Sequence, residues 1–238
     1  MSKKPLKRDE LKRRMQKKKR KEGSRLVQPE RYLIICEGKK TEPYYFKGIQ
    51  KRIEEKYNQR INVTSHPTLK VEGVGRSCLS LLDYAQTIID NEKKKNREYD
   101  HVWLVYDLDD FPCDDFDNTV YSVNSMNESK NDSKKWHVAW SNQCIELWFL
   151  LHFNNYNTDI HRTGYFEKLS DIFKSYGLDK YEKNNENIFE ILIAYGSLEN
   201  AINYAKQLCK ENEGKPPSKM APATKVYELV EILKPHIF

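Results

Sequence analysis

The stretch DHVWLVYDLDDF, residues 100–111, sets five apolar residues between carboxylates. Residues 101–106, HVWLVY, read as a buried strand that stops at Asp107. A carboxylate beside a buried strand is costly unless it is solvated, paired or bound to a cation. The alternation Asp107-Leu108-Asp109 offers a use for the cost. In extended backbone, residues i and i+2 face the same way, so both carboxylates can meet one cation while Leu108 turns into the core. The competing reading is a solvated acidic turn.

Working outward, RYLIIC (31–36) is a second short β-rich run, and it ends at Glu37-Gly38. The next segment, TEPYYFKGIQKRIEEKY (41–57), reads as a helix with Thr41 as cap and Pro43 in its first turn. INVTSHP (61–67) alternates like a strand. GVGRS (73–77) is a glycine loop whose Ser77 would cap a helix over 78–95. A further helix is predicted from near Phe116. WHVAW (136–140) is then a fourth strand, followed by a helix over SNQCIELWFLLHF (141–153), capped by Ser141 or Asn142. Strands alternating with helices predict an α/β fold with an open, mainly parallel sheet. Beyond residue 154 the segments GYFEKLSDIFKSYG, NIFEILIAYGSLENAINYAKQLCK and APATKVYELVEILKPHI all read as helices, separated by polar stretches.

Charge is unevenly distributed. Of the 238 residues, the first 22 carry twelve Lys or Arg against three acids, a local +9 within a total of +6, so the remainder sums to −3. This basic tail is expected to be flexible alone and suited to nucleic-acid phosphates, or else to serve solubility. Five scattered cysteines without a CxxC or Cys/His cluster predict neither a zinc site nor a disulfide framework. The longest apolar run, LWFLLHF (147–153), is too short to span a bilayer. A cytoplasmic location without a membrane partner is the expectation.

Ligands of open parallel sheets bind outside the carboxyl ends of the strands. If the strands ending at Glu37 and Asp107 are neighbours, Glu37, Asp107 and Asp109 converge, and oxygen-only ligation suits Mg²⁺ or Mn²⁺. Gly38 lets a phosphate approach the backbone, where Lys39, Lys40 and Thr41 could receive it near a helix start. Arg76 in the glycine loop is a further phosphate candidate. Glu146 interrupts an apolar helix face. It reads as a metal ligand or an orienting group for a catalytic water, or else as a surface Glu or the partner of Arg76 or His152. His152 reads as a buried, hydrogen-bonded histidine rather than a general base. Tyr44, Tyr45 and Phe46 read as core.

Four ordered blocks, LIICEGKKTEPYYFKGI, VWLVYDLDDF, SNQCIELWFLLHF and PATKVYELV, together resemble the RloB-like family, from about residue 30 to the end. That resemblance implies a Toprim-type fold, as in topoisomerases, primases and overcoming-lysogenization-defect-type nucleases. In Toprim domains a strand-end Glu acts as general acid/base or metal ligand, and a DxD motif binds Mg²⁺. Here the pattern falls on Glu37 and on Asp107 and Asp109. Where a glycine often follows the DxD, this chain has DDFPCDD, which leaves the role of Asp110 open.

The resemblance further implies a metal-dependent nuclease in an anti-phage or restriction locus, often beside a partner ATPase. Its substrate could be DNA or RNA, tRNA included, and a homo-oligomer is left open. The corresponding division is a basic tail (1–29), a Toprim-like domain (30–153) and a helical subdomain packed on it (154–238). A non-catalytic nucleic-acid-binding or effector subunit is the alternative. An Asp-nucleophile phosphatase fits poorly, because its DxD would follow the first strand.

Overall fold

A computed structural model of the chain describes residues 29–58, 66–76, 78–109, 113–128 and 134–238. Residues 1–28 of the basic tail, Ser77 and Asp110 lie outside the described residues. The α/β fold is built on a five-stranded sheet in the order β2-β1-β3-β4-β5. The strands are β1 (Arg31–Cys36), β2 (Thr68–Gly73), β3 (His101–Asp107), β4 (Lys135–Asn142) and β5 (Ala223–Thr224). The first four run parallel and β5 is antiparallel to β4. All seven residues of β3 are buried, as a continuous apolar run covered on both faces requires.

Eight α-helices are found among the described residues. On one face, α2 (Cys78–Lys93) and α3 (Cys113–Glu128) cover Leu33, Ile35, Leu104 and Tyr106. On the other, α1 (Thr41–Asn58) and α4 (Glu146–Leu151) share a core with Ile34, Cys36, Trp103 and Val105. The same core takes in α5 (Arg162–Ser175), α6 (Ile188–Tyr195), α7 (Leu198–Glu211) and α8 (Val226–Ile237).

Several expectations are corrected. The second strand is TLKVEG and not 61–67, of which 61–65 lie outside the described residues. Ser141 and Asn142 are not caps; they end β4, pairing with Thr224 and Ala223 of β5. The helix expected over 141–153 is only α4, and no side chain caps its start. PATKVYELV begins as β5 and becomes helical only at Val226. The long helix expected over 187–210 breaks at Gly196, where extended backbone lets Ser197 cap α7 by accepting from the Asn200 N–H at 3.2 Å. α3 starts at Cys113 and buries Phe116 within it.

Gly48 lies where α1 meets α6. A Cβ there would overlap Cβ of Phe189, which is fully buried. Ala is the better helix former by about 1 kcal/mol, yet forcing two helices apart costs typically ~1–3 kcal/mol. G48A is therefore expected to lower the urea midpoint, and an unchanged or raised midpoint would contradict this packing.

Candidate active site

Chain order and strand order set the position of the site. From β1 the chain crosses to β2 on one side, then to β3 on the other, so the crossover direction reverses between β1 and β3. Helices on both sides of such a switch point leave a crevice outside the strands' carboxyl ends. Cys36 pairs with Val105 and Asp107 with Ser141, so Glu37, Asp107 and the start of α4 arrive at one rim. A cleft of ≈ 510 Å³ opens there, and its lining includes Glu37, Glu42, Asp107, Asp109 and Glu146.

Backbone groups fix these carboxylates. Oε2 of Glu37 accepts from the Asp107 N–H at 3.1 Å, and Oδ2 of Asp107 accepts from the Ile145 N–H at 3.0 Å. Oε1 of Glu42 accepts from the Gly38 N–H at 3.3 Å. Gly38 is required by this arrangement, since a Cβ there would overlap the Glu42 carboxylate. Oε1 of Glu146 accepts from the Tyr181 hydroxyl at 2.7 Å, with Nζ of Lys183 4.0 Å from the same oxygen.

Burial and crowding raise the proton affinity of the group. Burial first, then the charges of Glu42 and Asp109, push Glu37 up to about 7, against a lowering by the Asp107 N–H. Burial and the neighbouring Glu146 push Glu42 up to about 7 as well. Asp107 rises well above the usual carboxylate range, again through burial and then Glu42, Glu146 and Asp109. Carboxylates that resist charging together are a mark of functional sites and a setting that favours a cation.

One part of the expected geometry is corrected. β3 ends at Asp107, and Asp109 adopts a left-handed φ of 44° instead of continuing the strand. Its N–H donates to the Gln143 carbonyl at 3.0 Å, and Oδ1 lies 3.0 Å from Nη1 of Arg162. Asp107 and Asp109 thus share the cleft through a turn and not through strand alternation. Leu108 is buried in the core as expected.

Lys39, Lys40 and Arg76 also line the cleft. Lys39, Lys40 and Arg76 are exposed, and the Arg76 guanidinium lies 5.3 Å from the centroid of the Tyr84 ring. Thr41 does not cap α1; its hydroxyl donates to the Lys183 carbonyl at 3.1 Å. Glu146 is paired with neither Arg76 nor His152. His152 is buried, with Nδ1 3.0 Å from the Trp148 carbonyl, so Nδ1 carries the proton, and burial pulls its pKa down to about 4.

The model of the RloB-like protein family matches residues 32–233. The chain belongs to the RloB-like family. No curated protein and no solved structure matches it.

In this RloB-like chain the sequence reading missed Glu42, Arg162, Tyr181 and Lys183. An acid in the first turn of a helix is commonplace, so Glu42 carried no signal. Tyr181 did carry one, as the lone aromatic in the polar run 179–187. Among the described residues no three His, Cys, Asp or Glu side chains form a ready-made metal-ligand group. Three cleft oxygens are nevertheless buried without a hydrogen-bond partner: Oδ1 of Asp109, which faces the Arg162 guanidinium as an ion pair, and Oδ1 of Asp107 and Oε2 of Glu146. Mg²⁺ takes only one or two protein carboxylates and completes its shell with water and phosphate, so this all-oxygen donor set fits it.

Proposed function

We propose that the cleft is the active site of a Toprim-like, Mg²⁺- or Mn²⁺-dependent nuclease acting on DNA or RNA. The observation that carries this reading is the convergence of strand-end carboxylates at the switch point, facing exposed cations. Asp107 and Asp109 are the residues that would hold the cation, Asp109 by giving up its ion pair with Arg162, with Glu37 beside them as general acid/base or as an alternative ligand. When bound, the cation supplies charge stabilisation to the phosphoryl oxygens and lowers the pKa of water. In the metal-free protein Glu37 is pushed up to about 7, and where it does not itself hold the cation it would take or return a proton near neutral pH. Lys39, Lys40 and Arg76 neutralise and orient the phosphodiester, and the basic tail adds salt-sensitive, sequence-independent affinity. Hydrolysis in anti-phage defence, restrained by a partner ATPase, is the biological setting we infer from family membership.

The assay combines the full chain, Mg²⁺ or Mn²⁺, and a mixture of plasmid DNA and tRNA. Cleavage is expected with either metal, to cease with a chelator and to be abolished in E37A. E37A cutting at the wild-type rate would remove Glu37 from the mechanism. The Asp109–Arg162 ion pair favours a second reading, a non-catalytic nucleic-acid-binding subunit, because it occupies a carboxylate that catalysis needs. Protein that binds nucleic acid yet never cleaves it, with or without the partner ATPase, would support that reading.

A further inference from the structure

The connection between α5 and α6 lies against the carboxylate rim and is tied to it at two points. The Thr41 hydroxyl, at the start of α1, donates to the Lys183 carbonyl at 3.1 Å. Two residues earlier, the Tyr181 hydroxyl donates to Oε1 of Glu146 at 2.7 Å, and both side chains are buried. The Tyr181 ring is set by Phe149, Phe166 and Phe173, with centroids 6.4, 6.2 and 6.0 Å away. Nζ of Lys183 lies over the Phe166 ring at 4.6 Å and 4.0 Å from Oε1 of Glu146. The connection therefore delivers a phenol and an ammonium to the same oxygen.

Glu146 and Asp107 match in one respect. Each has one oxygen engaged by a donor, Oε1 by Tyr181 and Oδ2 by the Ile145 N–H. Each has its second oxygen buried and unpartnered. Ile145 directly precedes Glu146, so the bond to Asp107 also joins the two residues. A buried oxygen acceptor without a donor is unfavourable, and two joined in this way suit a cation.

We propose that Tyr181 is a positioning residue: by engaging Oε1 of Glu146 it makes Oε2 a ligand that, with Oδ1 of Asp107, receives a divalent cation. The inference rests on reading the cleft as a cation site and adds Glu146 and its support to that reading. A phenol donating to a ligating carboxylate fixes its rotamer, and loss of such support typically weakens metal affinity about 10–100-fold.

Mn²⁺ binding to the full chain, without nucleic acid, tests this by calorimetry and by the electron paramagnetic resonance signal of free Mn²⁺. Y181F keeps the ring and removes only the hydroxyl, and it is expected to weaken Mn²⁺ binding about 10–100-fold. Y165F is the control, because Tyr165 is buried in the same core and its hydroxyl has no hydrogen-bond partner. It should bind as the wild type does. E146Q is expected to lose binding as D107N does, independently of how Y181F folds. Binding that D107N abolishes but Y181F or E146Q leaves at the wild-type level overturns this role for Tyr181 and Glu146 alone. A wild-type chain that takes up no Mn²⁺ overturns the cation site itself, and the proposed function with it.

Discussion

D107N is expected to lower metal-dependent cleavage roughly 10³-fold while leaving the fold intact. The magnitude follows from the several kcal/mol that a positioned cation contributes to phosphoryl-oxygen charge, at about 1.4 kcal/mol per tenfold. The fold should survive because the Asn side-chain carbonyl can still accept from the Ile145 N–H, which Oδ2 of Asp107 now does at 3.0 Å. Stability should change little or rise. The folded-state pKa of Asp107 is raised, so its effect on stability is most favourable below the ordinary carboxylate range and is lost as pH rises through the folded value. Above the folded value and without metal, the amide removes a charge that burial opposes. Single-turnover cleavage and urea melts of the same preparation separate the two effects. Wild-type cleavage by D107N would exclude Asp107 from the site, and an unfolded D107N would make it a structural residue.

E42Q should stabilise the metal-free protein by about 2–3 kcal/mol at pH 8, with no gain at pH 4. Glu42 is buried and pushed up from 4.5 to about 7. Between those values the native state holds a proton that the unfolded chain has released, so stability falls as pH rises, and the loss is complete above about 7. At about 1.4 kcal/mol per pH unit, a rise of this size amounts to ~3 kcal/mol. The amide keeps the acceptor for the Gly38 N–H and removes the titration. His152 and His137, both lowered to about 4 by burial, act with the opposite sign as pH falls below 6.5. Comparing E42Q with the wild type at each pH cancels them. Parallel stability–pH curves for the two proteins would show that Glu42 is charged at little cost.

Much of the sheet could be read locally. Continuous apolar runs at 31–36 and 101–106 are strands because a strand covered on both faces has no polar side to reveal, and both stop where carboxylates begin. The turn after Asp107 was less legible. Asp109 takes a left-handed φ that glycine would favour, so no local rule separates it from two more residues of strand. Ser141 and Asn142 looked like caps because both are good caps, but Thr224 and Ala223, 83 and 81 positions further on, pair with them as β5. That pairing is a tertiary choice and overrides local preference.

By itself the sequence determined which residues were available for chemistry: Glu37 and Asp107 at strand ends, cations beside Gly38, and a Glu in an apolar helix face. Those follow from hydrophobic patterning, a property of neighbouring residues. Only the tertiary structure decided that β1 and β3 are adjacent, that Glu42 joins the carboxylates, and that Tyr181 reaches Glu146 from 35 residues away. Those are long-range contacts, chosen by how whole elements pack, and no periodicity in the chain encodes which acid will lose its water or which phenol will meet it.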